Sequence, residues 1–317
     1  MAFEAIDAKI ADGSYRRITS VLLAQHGQLV YERFFEGDAD ALRNTRSVTK
    51  TVASMLVGIA IERGELPGVD ATLLSFLEEL APFVDDGPAK RAITLHDVLT
   101  MSSTLDCDDD DPASPGNEEL MYETRDWLRF AVDIPIRQPP QRASFSYCTA
   151  GVTALAGVLE RATGRPLDAY AEEHLFGPLD IDRAEWFRSP AGLVMTGGGL
   201  ELRSRDLLAL GQLYLDGGRR NGRQVVPAAW VAESLRPHRR IDERTDYGYL
   251  WWLRSLRFGN GLRTRAALMQ GNGGNKVARV PELDAVAVIT STNYGTAGMH
   301  EQTDAILVRD LLPGLTA

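Results

Sequence analysis

Ser47 and Lys50 stand three residues apart at the head of an apolar run, Ser47-Val48-Thr49-Lys50. On a helix that spacing puts both side chains on one face, one turn from each other. The lysine amine then reaches the serine hydroxyl, which is the activation a serine nucleophile needs when no histidine serves as base. A first-turn position adds unpaired backbone N–H groups and the positive end of the helix dipole, both suited to a carbonyl oxygen gaining charge. The same serine could simply cap the helix with the lysine solvated, and the pair alone leaves both readings open. Two other groups carry chemistry. Tyr147, within Phe145-Ser146-Tyr147-Cys148-Thr149, is a phenol that could shuttle protons beside a lysine ammonium; a core tyrosine is the alternative. Gly271-Asn272-Gly273-Gly274-Asn275 removes side chains where another backbone or a ligand must come close; a hairpin turn is the alternative. Phosphate cradling does not fit it, since no Gly-Lys-Ser/Thr follows and no βαβ unit surrounds it.

The elements that must position these groups are legible in the pattern. Val52, Met55, Leu56 and Ile59 keep the spacing of a buried helical face, and Gly64 and Pro67 end it. Thr94 is placed to cap a helix through Leu99, and further helices are expected over 150–163 and 204–215. Residues 21–35 read as a hairpin turning at His26-Gly27. Strands are expected over 249–253, 263–269, 276–280 and 285–290, with Pro281-Glu282-Leu283-Asp284 as a tight turn between the last two. On the first of these, alternation sends Tyr247, Tyr249 and Trp251 to one face and Trp252 to the other. Helices close both ends, over 3–10 and 298–312. Strands at both ends of the chain with helices between predict an α+β fold. One antiparallel sheet, from residues 1–46 and 245–317, is flanked by terminal helices and carries an inserted all-α lobe, 47–244. The cleft between them is the natural site.

Composition narrows the partners. The chain has 317 residues, 44% of them hydrophobic, and a formal net charge of −10, which argues against nucleic acid or an anionic membrane as partner. It contains no apolar stretch long enough for a membrane span. The start, Met1-Ala2-Phe3-Glu4, lacks the basic and apolar regions of an export signal. Cys107 and Cys148, distant in sequence, suggest a reducing compartment rather than a disulfide framework. A cytoplasmic location is therefore expected. The five histidines are scattered without metal-ligand spacing, and no Gly-x-Ser-x-Gly elbow is present. The five aspartates of Asp106–Asp111 lack the spacing of a calcium loop and read as a solvated loop.

Taken together and in this order, the three elements resemble the serine β-lactamase and penicillin-binding-protein-like hydrolases. The likeness is to the branch with class C β-lactamase-type esterases and 6-aminohexanoate-dimer hydrolases. That superfamily carries Ser-x-x-Lys at a helix start, then Tyr-x-Asn or Tyr-x-Ser, then Lys-Thr-Gly or His-x-Gly on a strand. The counterparts here are Ser47-Val48-Thr49-Lys50, Tyr147-Cys148-Thr149 and Asn272-Gly273-Gly274. Residues 93–103, 197–202 and 281–284 extend the resemblance. It implies an acyl-enzyme on Ser47, a base role shared by Lys50 and Tyr147, and an oxyanion hole from the backbone N–H groups of Ser47 and Asn275. Thr149, Asn272, Gly273 and Gly274 would bind substrate, a small ester or amide, with no cofactor and no metal. Two departures bear on the substrate. Asn272 stands where β-lactamases and cell-wall peptidases usually have lysine, and a neutral amide offers only hydrogen bonds. Thr149 replaces the usual asparagine or serine. Both favour a less anionic ester or amide over β-lactams or D-amino-acid peptides. The other class of reading is a binding or sensor protein that keeps the fold without turnover.

Overall fold

A computed structural model of the chain describes residues 3–142, 145–259 and 261–316. Met1 and Ala2, which entered the reading of the N-terminus, lie outside them. After helix α1 (Glu4–Ala11) come strands β1 (Ile18–Gln25), β2 (Gln28–Phe34) and β3 (Leu42–Asn44), then helix α2 (Val48–Glu62). The middle of the chain supplies α3 (Leu95–Leu99), α4 (Glu118–Tyr122), α5 (Thr149–Thr163), strand β4 (Glu201–Arg203) and α6 (Ser204–Leu215), among shorter turns. The remainder gives β5 (Arg239–Arg240), β6 (Thr245–Tyr247), β7 (Trp252–Phe258), β8 (Leu262–Gly271), β9 (Asn275–Val280), β10 (Ala285–Ser291) and α7 (Met299–Ala305).

Eight strands form one antiparallel sheet in the order β2-β1-β10-β9-β8-β7-β6-β5. The two ends of the chain meet at β1 and β10, where Val21 faces Ile289 and Leu23 faces Ala287. The β1–β2 turn uses positive φ at both His26 (52°) and Gly27 (69°), the twist a two-residue hairpin requires. Two apolar layers sandwich the sheet. On one side Ile6, Ile306, Leu307 and Leu311 of the terminal helices bury Val21, Leu23 and Ile289. On the other, α2 and α6 pack over Leu22, Val277 and Val288, and α5 packs on α2. Contact there is close: a Cβ added at Gly211 would lie 2.5 Å from a Val286 methyl. Helix α2 is buried from Val48 through Ala60, so the apolar residues that predict it also hold it centrally. Thr94 caps α3 in a full capping box with Asp97.

Three expectations are corrected. Tyr249 and Leu250 form a bend, with Leu250 at φ 60°, and β7 starts only at Trp252. Tyr247, Tyr249 and Trp251 are buried core residues and Trp252 is half-buried, but Tyr249 and Trp251 lie off any strand, so strand alternation is not what sorts them. Residues 47–244 are not wholly helical, since β4 pairs with β3 and a further short hairpin lies within them. Cys107 and Cys148 are joined in a disulfide; 41 residues apart in sequence, they are brought together by the loop before α4 folding against the start of α5. The argument for a reducing compartment from unpaired cysteines therefore falls. Among the described residues no helix is long and apolar enough to cross a membrane, and no cluster of His, Cys, Asp or Glu could hold a metal ion.

Candidate active site

Ser47 is the N-cap of α2, yet its hydroxyl caps no helical N–H. Its Oγ instead accepts a hydrogen bond from Lys50 Nζ at 2.9 Å. Of the two readings the sequence leaves open, the geometry selects the paired one. Lys50 is 1% exposed, and its other two hydrogen bonds go to Thr149 Oγ1 at 2.8 Å and the Gly197 carbonyl at 2.6 Å. Three donors meeting three acceptors satisfy a buried ammonium fully. Arg46, just before the nucleophile, has φ 54°, a left-handed value that costs a non-glycine residue energy and clusters at functional sites. Its guanidinium lies 4.2 Å from the Tyr294 ring centre, and the Tyr294 hydroxyl donates to the Asn44 carbonyl at 2.7 Å.

The end of β8 supplies the opposite wall. A Cβ at Gly271 would lie 1.9 Å from the Thr45 carbonyl oxygen and 3.1 Å from the Ser47 nitrogen. Only glycine lets this strand reach the nucleophile, and it delivers Asn272 to the same cleft. That cleft holds about 540 Å³ and is lined by Arg46, Ser47, Glu118, Tyr122, Phe187 and Asn272, among others. Among the described residues, the backbone N–H groups of Ser47 and Asn272 donate to no acceptor in the protein.

The expected residues do not all reach substrate. Tyr147 lies beside Lys50 by its ring, whose centre is 4.7 Å from Nζ, and it stacks on Trp252 at 5.9 Å. Its hydroxyl makes no hydrogen bond to Ser47 or Lys50. Thr149 is fully buried and holds the lysine, not the cleft. Gly273 and Gly274, with φ of 90° and 85°, are buried and packed against Tyr294 and Met299. Asn275 is 1% exposed. Its amide donates to the carbonyls of Asn272 and Ser291 at 2.7 and 3.2 Å and accepts from Ser291 N–H at 2.9 Å. It braces the turn, and its backbone pairs with Gly271 in the β8–β9 ladder. Of the third motif, only Asn272 opens onto the cleft.

Two participants were not singled out from sequence. Gly197 offers its carbonyl to Lys50, and nothing in the triplet Gly197-Gly198-Gly199 announces that role. Asp109 sits within the aspartate run read as solvated, yet its Oδ2 accepts the Thr149 N–H at 2.7 Å. Burial pushes its carboxyl up to about 6, against the opposing pull of the Lys50 ammonium. Burial likewise raises the phenol of Tyr122, helped by Glu118 and Asp109 nearby.

The family model described as Beta-lactamase matches residues 6–311. The chain is 30% identical over 247 residues to a 6-aminohexanoate-dimer hydrolase of Paenarthrobacter ureafaciens, covering 74% of this chain and 59% of that protein. It is 29% identical over 179 residues to esterase EstB of Burkholderia gladioli, covering 50% and 44%. It therefore spans only about half the length of these two relatives. Among solved structures, a putative 6-aminohexanoate-dimer hydrolase from Bacillus anthracis superposes with a TM-score of 0.76 at 19% identity, covering 96% of this chain and 80% of that one. At that identity the likeness speaks for the fold.

Proposed function

The chain belongs to the beta-lactamase family, and from that premise we propose that it is a serine hydrolase forming an acyl-enzyme on Ser47 with a small ester or amide. The observation that carries this reading is the 2.9 Å hydrogen bond between Lys50 Nζ and Ser47 Oγ at the first turn of α2, opening on a cleft. Ser47 Oγ bonds to the substrate carbonyl carbon as its proton passes by way of Lys50 to the leaving group, whose bond to that carbon breaks. Water then attacks the acyl carbon and frees the acid, with the proton returning to Ser47. Lys50 accepts a proton only after releasing one of its three, so the reaction runs from the amine form. Tyr147 shares the proton traffic once its hydroxyl turns toward Ser47. The N–H groups of Ser47 and Asn272 serve as oxyanion donors in place of Asn275, because both are free and border one cleft. Neutral Asn272 and the aromatic walls favour a modest ester or amide over a β-lactam.

The test is intact-protein mass after a fluorophosphonate, beside turnover of p-nitrophenyl acetate and butyrate. One adduct per chain and ester hydrolysis, both lost in Ser47→Ala, are expected; an adduct that persists in Ser47→Ala removes Ser47 from the chemistry. A binding protein without turnover is the second reading, favoured by the Tyr147 hydroxyl standing apart from Ser47 and Lys50. It predicts a stable adduct with no multiple turnover. A cytoplasmic location rests now on composition alone, since a disulfide persists most readily in an oxidising compartment; free-thiol counting on protein from fractionated cells decides it.

A further inference from the structure

The loop read as solvated is built into the site. Cys107 is bonded to Cys148, which ties residues 106–111 to the segment that carries Tyr147 and Thr149. Between those cysteines and the lysine stands Asp109. Its backbone N–H donates to the Tyr147 carbonyl at 2.8 Å, and its Oδ2 accepts the Thr149 N–H at 2.7 Å. Its Oδ1 accepts the Glu118 N–H at 3.0 Å. The Asn117 side chain fixes the loop beneath it, donating to the carbonyls of Asp108, Asp109 and Asp111 at 3.3, 3.2 and 3.1 Å. Asp110 and Asp111 are exposed while Asp106, Asp108 and Asp109 are half-buried, and of these three it is Asp109 whose carboxylate accepts the Thr149 N–H. From Asp109 the path to the nucleophile is short: Thr149 accepts from Lys50, and Lys50 donates to Ser47.

We propose that Asp109 is a positioning residue for this reaction: its carboxylate clamps Tyr147–Thr149 against Lys50 and supplies the negative charge beside that buried ammonium. The proposal rests on the acyl-enzyme reading of Ser47. An opposite charge nearby favours the charged form of its neighbour, and Asp109 is the carboxylate that faces the Lys50 ammonium. The groups facing Asp109 are the Lys50 ammonium from α2, Glu118 and Tyr122 from α4, and Tyr147, whose ring borders Lys50. Glu118 adds negative charge and opposes ionisation of Asp109, while Lys50 favours it. No other residue touches both Tyr147 and Thr149 through hydrogen bonds while facing Lys50 among the described residues.

The test is the pH dependence of kcat/KM for p-nitrophenyl butyrate in the wild type, Asp109→Asn and Asp109→Ser, with thermal midpoints read alongside. Both substitutions remove the charge, so one folded variant suffices. In the wild type, activity rises with pH as the base loses its proton. Loss of the Asp109 charge is expected to move the midpoint of that rise down by about one pH unit. A role in folding alone lowers the height of the profile without moving its midpoint, and an unmoved midpoint in a folded variant overturns the proposal. Failure of the underlying reading appears separately, as wild-type turnover that survives Ser47→Ala.

Discussion

Asp109 is held in the folded chain with its carboxyl raised from 3.8 to about 6, chiefly by burial. The folded state therefore binds this proton more tightly than the unfolded state does. The resulting stability is fully present below about pH 4 and is lost as pH rises through about 6. At one pH unit per 1.36 kcal/mol, ionising Asp109 costs the fold up to about 3 kcal/mol, less what its partial exposure screens. A residue that cannot ionise pays nothing. Relative to the wild type, Asp109→Asn is expected to gain stability between pH 4 and 7, and urea unfolding at both ends of that range checks it. A stability difference that does not change with pH would show that the carboxyl is not strained by its site. Lys50→Met tests the same pair from the other side: ester turnover should drop by at least 100-fold, measured under the same conditions. Sequence made Ser47 and Lys50 visible because helix spacing is local. It hid Asp109 and Gly197 because their contacts with Thr149 and Lys50 cross tens of residues or more, and five neighbouring aspartates look alike until the fold brings one of them to the Thr149 N–H.

Elements were legible where one period ran unbroken. The apolar face of α2, the capping box at Thr94 and the hairpin turn at His26-Gly27 each follow from a few adjacent residues. The strand expected at 249–253 failed because Leu250 takes a positive φ, a bend that an aromatic-rich stretch does not advertise. Cysteine separation misled for the same reason: 41 residues of chain say nothing about distance once two loops pack together. The disulfide now makes a prediction about its elements. Closing a loop of that length limits the unfolded chain by about 4 kcal/mol on the chain-entropy account. Reduction by a phosphine, or the double substitution Cys107→Ser with Cys148→Ser, is expected to lower the thermal midpoint by roughly 5–10 °C. Ester turnover should fall with it, because the freed loop no longer presses Asp109 onto Tyr147 and Thr149. Alkylation and mass measurement confirm that reduction occurred. A midpoint and rate that survive verified reduction would show that Asn117 and the Asp109 contacts hold the loop without the covalent tie.

At the scale of the molecule, the site is assembled from distant parts of one chain. Arg46 and Ser47 follow the N-terminal strands, Tyr147 and Thr149 come from the middle, and Asn272 stands just after β8. In the sheet whose strand β8 leads to Asn272, β1 lies beside β10, which joins the two ends of the chain. Strands at both ends of the sequence implied that pairing before any contact was known, since a half-buried strand needs a partner wherever its partner lies in the chain. Every residue of β10 is buried, and β1 covers one of its edges. A chain lacking residues 1–36 retains Ser47, Lys50, Asp109, Tyr147 and Asn272, so a local view of catalysis predicts activity. The sheet predicts otherwise. Removing β1 strips Val21, Leu22 and Leu23, each fully buried, at about 1.5–3 kcal/mol apiece. That sum is comparable to the whole stability of a typical domain. It also leaves the N–H and C=O groups on one edge of β10 unpaired, a template for aggregation. The truncated chain is expected to be recovered as aggregate by size-exclusion chromatography and to take no fluorophosphonate. A monomeric, labelled truncation would show that the catalytic cleft is held by residues 37–317 alone and that the β1–β2 hairpin is dispensable.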